Sequence, residues 1–162
     1  MSQHSLNELA KAAASALKNT GSTIAVSESS MGGLVSAALV AVPGASDYFL
    51  GGVTIYTHES RKQLLGLDKA ALQGIRPATE AYALLCARTI HQKMNSTWAL
   101  AETGASGPSA NPYMDPPGTA WIAIVGPVEK TLRITTGDND REANMWAFAK
   151  QALALLSATI RE

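Results

Sequence analysis

The chain has 162 residues, 13 Lys and Arg against 13 Asp and Glu, 46% apolar residues and 16% charged ones, which excludes a disordered chain and fits one compact domain. At this length roughly 70% of the unfolded chain's surface can be buried, so neither disulfides nor a structural metal is required. A formal net charge of zero argues against a dedicated nucleic-acid or membrane-surface protein, because either needs a basic excess, and leaves small molecules or proteins as the expected partners.

In chain order, Met1-Ser2-Gln3-His4 lacks a cationic run followed by an apolar core, so no signal peptide is expected, and the cytoplasm is the expected compartment. Leu6, Leu9, Ala13 and Leu17 form the stripe of an amphipathic helix ending near Asn19-Thr20-Gly21. Ser22 to Val26 reads as a short strand that runs into the small-residue loop Ser27-Glu28-Ser29-Ser30-Met31-Gly32-Gly33, and Leu34 to Val42 as a helix closed by Pro43-Gly44. A second strand is expected over Gly51 to Thr57 and a short helix over Glu59 to Leu65, stopped by Gly66.

Thr79 can cap a long helix through Met94, with Tyr82, Leu85, Cys86, Thr89 and Ile90 inward. Cys86, the only cysteine, reads as a packing residue. Thr97 to Ala101 is expected to be a strand entering the loop Glu102-Thr103-Gly104-Ala105-Ser106-Gly107-Pro108, and a long irregular stretch reaches Pro117. Gly118 to Val125 and Lys130 to Thr136 read as an antiparallel pair, and a last helix starts near Asp140. The pattern is α/β: a single-domain three-layer α/β/α sandwich with a mixed sheet.

Both strand-following loops combine hydroxyls with glycine, and in open α/β sheets ligands sit at the carboxyl ends of strands. Gly32-Gly33 at a helix start could leave amide donors for a phosphate, a carboxylate or a developing oxyanion, or serve only a tight turn. A serine becomes a nucleophile only beside a group that takes its proton. Of His4, His58 and His91, His58 is the one placed to face a pocket; no pair of His or Cys has metal-ligand spacing, so no metal is expected.

Ser27-Glu28-Ser29-Ser30-Met31-Gly32-Gly33 resembles the AESCTGG signature of the CinA C-terminal domain family, the nicotinamide-nucleotide amidases. The resemblance continues through Pro43-Gly44-Ala45-Ser46, Val53-Thr54-Ile55-Tyr56, Thr103-Gly104-Ala105-Ser106-Gly107-Pro108 (family TGIAGP) and Pro117-Gly118-Thr119-Ala120-Trp121-Ile122-Ala123. It implies hydrolysis of the carboxamide of nicotinamide mononucleotide to nicotinate mononucleotide and ammonia, without a cofactor, by a serine nucleophile with a lysine base, in a cytoplasmic homodimer. The larger members of the family carry a further N-terminal domain.

Carried over by motif, the nucleophile falls on Ser29, the motif tyrosine on Tyr56 and the second-loop hydroxyl on Thr103, with Ser30, Met31, Gly32, Gly33 and Gly104 as substrate-binding loop positions. The family's YSNEAK becomes Tyr56-Thr57-His58-Glu59-Ser60-Arg61, so Arg61 occupies the lysine position. Arginine keeps its proton near neutral pH. Lys62 is adjacent but turned by about 100° on a regular helix, and reaches the pocket only if the helix start is irregular. Cys-Thr of the signature becomes Ser30-Met31, expected to put a thioether in the pocket wall, and the family's GDR becomes Gly137-Asp138-Asn139 unless an insertion makes Arg141 the equivalent. Two readings follow: an amidase in which Lys62 or His58 replaces the base, or a fold-sharing protein that binds a nucleotide-like ligand or a protein partner without turnover.

Overall fold

A computed structural model describes residues 5–162; Met1 to His4, including the histidine and the terminus read for a targeting signal, lie outside the described residues. The elements are α1 (Leu6–Asn19), β1 (Ile24–Glu28), α2 (Leu34–Val40), β2 (Phe49–Thr54), α3 (His58–Ser60) continued by a π turn (Arg61–Leu65), α4 (Lys69–Leu72), α5 (Glu80–Met94), β3 (Trp98–Ala105), β4 (Thr119–Val125), β5 (Glu129–Thr135) and α6 (Arg141–Arg161). The helices start where side chains cap them. Ser5 accepts from the Glu8 amide, Thr79 from that of Tyr82, and Asp140 from that of Ala143.

One five-stranded sheet has the order β2-β1-β3-β4-β5. β2 and β3 run parallel to β1, with Ser27 beside Val53 on one side and Ala101 on the other, whereas β3, β4 and β5 are antiparallel neighbours. The sheet is therefore mixed and covered on both faces, an α/β architecture.

Period-two alternation sorts the two cores. Ile24, Val26, Leu100, Ile122 and Ile124 pack with α1, α2 and α6, while Ala25, Ala99, Ala101, Ala123 and Val125 meet α5. The small residues on the second face let α5 lie close to the sheet. Within α5, Tyr82, Ala83, Cys86, Ala87 and Ile90 are buried, while Leu85 and Thr89 are half-buried. No helix among the described residues is long and apolar enough to cross a membrane.

Several boundaries move. β1 begins and ends two residues later than expected, so Ser27 and Glu28 belong to the strand rather than to the loop. Both residues are fully buried, and that tertiary setting overrides their weak strand propensity. β2 is Phe49–Thr54 instead of Gly51–Thr57, because Thr57 leaves the sheet to cap α3. β3 runs four residues past Ala101 because β4 pairs it as far as Ala105 opposite Thr119.

Candidate functional site

The carboxyl ends of β1, β2 and β3 meet at one rim of the sheet. The chain leaves β1 through α2 on one face and enters β3 through α5 on the other, so a crevice opens between them, as expected at a switch point of an α/β sheet. It widens into a cavity of about 640 Å³ lined by Ser29, Ser30, Ile55 to His58, Arg61, Pro77, Ala78, Tyr82, Thr103 to Tyr113 and Arg141. That volume suits a small organic ligand.

A buried carboxylate shapes the first loop. Glu102 is 1% exposed; its Oε2 accepts from the amides of Ser29 (2.9 Å) and Met31 (3.0 Å), and its Oε1 from the Ser30 hydroxyl. Burial pushes its pKa up, these three donors oppose the shift, and the neighbouring Glu28 adds to it. Glu28 is fully buried and accepts from the amides of Val35 (2.9 Å) and Ser36 (3.0 Å), which occupies the start of α2. The Gly32 amide donates to the carbonyl of Ser29 at 3.1 Å. The donors expected near Gly32 and Gly33 are thus largely committed inside the protein, and neither glycine lines the cavity. Gly33, with φ of 102°, makes the turn into α2.

Met31 also departs from expectation. It is fully buried in the core beneath α1 and α6 and does not reach the cavity wall. Of the three hydroxyls in the signature, Ser29 (half-buried) and Ser30 line the cavity, whereas Ser27 is sealed in the sheet with no partner for its Oγ.

Across the cavity, Thr103 Oγ1 accepts from the Ala78 amide at 2.9 Å, tying β3 to the segment that enters α5. Gly104 lines the cavity, but β4 demands its lack of a side chain: a Cβ there would lie 2.5 Å from the Thr119 carbonyl oxygen and 2.7 Å from the Ala120 Cβ. At the rim, Arg141 donates to the Tyr56 hydroxyl (2.8 Å) and to the Gly107 carbonyl (2.6 Å), bridging the end of β2 to the loop after β3. Arg141, rather than Asn139, is therefore the residue at the cavity from this segment. A second clamp holds the long loop, where Arg76 pairs with Asp115 at 2.8 Å and covers the Tyr113 ring.

The start of α3 is irregular. Thr57 and Ser60 form a capping box, one α-helical turn follows, and a π turn carries Arg61 to Leu65 before Gly66 ends it with φ of 69°. This irregularity does not bring Lys62 to the cavity. Arg61 lines it and a neighbouring cavity as well, while Lys62 is exposed and lines only the neighbouring one, with Asp68 and Lys69. Arg61 Nε donates to the Leu67 carbonyl at 2.9 Å and its Nη1 to His58 Nδ1 at 3.0 Å, which requires that nitrogen to be without a proton. Among the described residues, no group of three His, Cys, Asp or Glu side chains is placed to hold a metal ion.

The structure thus gathers Ser29, Ser30, Tyr56, Arg61, Thr103, Gly104 and Arg141 around one space and leaves Met31, Gly32, Gly33 and Lys62 outside it. Sequence reasoning missed Glu102, Glu28 and Tyr82 as site-shaping residues. A usable signal existed for the two carboxylates, since each directly follows a short run of apolar or small residues that reads as a buried strand, Ile24 to Ser27 and Trp98 to Ala101.

Fold and site together define an α/β domain with a hydroxyl-lined, cation-bearing cavity at the carboxyl rim of a mixed sheet. Residues 6–160 match the CinA C-terminal domain, and the chain belongs to that family. It is 40% identical over 121 residues to a CinA-like protein of Gloeobacter violaceus (75% of this chain, 28% of the relative) and 35% identical over 138 residues to one of Salinibacter ruber (85% and 34%). The chain thus spans about a third of the length of these relatives. The structure of the competence damage-inducible protein A from Klebsiella pneumoniae subsp. pneumoniae MGH 78578 superposes with a TM-score of 0.91 at 26% identity, covering 98% of this chain and 99% of that one. The competence/damage inducible protein of Agrobacterium tumefaciens shares the fold with a TM-score of 0.88 at 23% identity, covering 100% and 99%.

Proposed function

We propose that the cavity binds an anionic ligand of the nicotinamide-nucleotide type and that hydrolysis of a carboxamide through Ser29 is slow. The observation that carries this reading is the exchange in the π turn after α3: Arg61 lines this cavity, and its neighbour as well, whereas Lys62 lines only the neighbouring one. A guanidinium already carries its proton near neutral pH and cannot take that of Ser29, and a positioned general base is worth about 10²–10⁴-fold in rate. The cavity wall carries Arg61 and Arg141 but no Asp or Glu, which favours a negatively charged ligand.

A second reading, a working amidase, is favoured by one feature. The Ser30 hydroxyl lines the same cavity and donates to the buried carboxylate of Glu102, a hydroxyl and acceptor already in contact. The homodimer implied by the family resemblance belongs to both readings and is tested by sedimentation equilibrium.

Ammonia release from nicotinamide mononucleotide separates the two. Slow turnover in the wild-type protein that rises at least tenfold in Arg61→Lys supports the first reading. Fast wild-type turnover, lost in Ser29→Ala or Ser30→Ala and not raised by Arg61→Lys, establishes the second and overturns the first.

A further inference from the structure

We infer that the cavity selects a ligand bearing a carboxylate, held by Arg61, over the corresponding neutral carboxamide; this rests on the reading of the cavity as a ligand site given above. Arg61 is 5% exposed, yet it lines this cavity and borders the neighbouring one. Its partners are all neutral. Nε donates to the Leu67 carbonyl, Nη1 to His58 Nδ1, and the Tyr82 phenol borders the guanidinium. A guanidinium has five N–H donors, so three such contacts leave donors over. Among the described residues none of the ion pairs involves Arg61.

A buried charge without a counter-charge is costly, and arginine cannot relieve the cost by losing its proton. An anion entering the cavity relieves it. The wall of this cavity supplies no such anion, because it carries no Asp or Glu and Glu102 lies behind Ser30 with both oxygens committed to the loop; Glu59 and Asp68 line the neighbouring cavity that Arg61 also borders, and neither is among the ion pairs of the described residues. The size of the buried cation decides between anions. One guanidinium in a water-poor wall matches a planar monoanion, whereas a phosphate near charge −2 is better served at the exposed rim by Arg141. A carboxamide turned toward Arg61 presents an acceptor on one side and an N–H₂ group on the other, so one of its polar atoms meets a donor with a donor.

Isothermal titration calorimetry with nicotinate, nicotinamide and their mononucleotides tests the inference. Each acid is expected to bind at least about tenfold more tightly than its amide, in line with the greater strength of charge-assisted hydrogen bonds. The ratio is expected to fall below threefold in an Arg61→Gln variant that still melts cooperatively. Should Arg61→Gln fail to fold, Arg61→Lys serves instead; it keeps the charge without the planar fork and is expected to give a smaller ratio than wild type. Equal affinities for acid and amide overturn the inference and leave the ligand-site reading standing. Binding of neither overturns both. An acid preference that survives Arg61→Gln, or displacement of nicotinate by inorganic phosphate, removes the carboxylate from Arg61 and overturns the assignment.

Discussion

Removing the Glu102 carboxylate should loosen the loop that carries Ser29 and Ser30. In Glu102→Ala the amides of Ser29 and Met31 and the hydroxyl of Ser30 lose their acceptor at once. A buried polar group left without a partner costs about 1–3 kcal/mol. Ser29 is half-buried beside the cavity, so water can reach its amide; Met31 and Ser30 are buried and carry most of the loss. Against this stands the cost of burying the carboxylate itself, the leading cause of its raised pKa. The balance is a destabilisation of about 2–4 kcal/mol in urea-induced unfolding, with Glu102→Gln between wild type and Glu102→Ala because one amide oxygen still accepts.

The pH dependence has a definite sign. A carboxyl group whose pKa is raised on folding binds more protons in the native than in the unfolded state, so stability falls as pH rises from near the ordinary value of 4.5 through the raised native value. The wild-type protein should lose this increment over that window and Glu102→Gln should not. An unfolding free energy of Glu102→Ala within 0.5 kcal/mol of wild type, or identical pH slopes in wild type and Glu102→Gln, would refute the role given to this residue.

Met31→Thr, which restores the residue type of the family signature, places a hydroxyl in the core beneath α1 and α6 and should cost about 2–4 kcal/mol by thermal or urea unfolding; ligand affinity changing without stability would show that Met31 faces the cavity after all. Cys86, whose pKa is pushed up to about 12 by burial, should resist Ellman's reagent at pH 8 in the native protein and react only on unfolding; rapid native labelling contradicts this placement. Asp115→Ala should change stability by less than about 1 kcal/mol, since the pair with Arg76 is partly exposed. The hydrogen bond from Arg76 lowers the Asp115 pKa, so the pair's contribution is present above the ordinary value of 3.8 and fades as pH falls through the lower native value. A wild-type acid transition unchanged by the substitution contradicts that sign.

Much of the architecture was legible because it depends on local periodicity. The stripes of α1 and α5, the cap at Thr79, the helix start near Asp140 and the antiparallel pair after Gly118 are written in residues a few positions apart, and the helices and strands they predict are present with boundaries displaced by up to four residues. The displacements of β1 and β3 have one cause. Ser27 and Glu28 are weak strand formers by local preference and Thr103 sits among glycine and small residues, and pairing with Ala101 of β3, Thr54 of β2 and Trp121 of β4 takes the three into the sheet.

The motif residues around Ser29, Tyr56, Thr103 and Arg141 could be named in one dimension because residue type and spacing carry the family resemblance. Their convergence on one cavity could not, since it arises from three parallel strands ending at the same rim. The sequence by itself determined the order of elements, the alternating faces of the strands and the replacement of lysine by Arg61. Only the tertiary structure decided that Arg61 turns inward and Lys62 outward, that Met31 sinks into the core, and that Glu102 organises the loop. Side-chain direction and burial depend on what packs against a residue from distant parts of the chain, and neighbours in sequence do not contain that information.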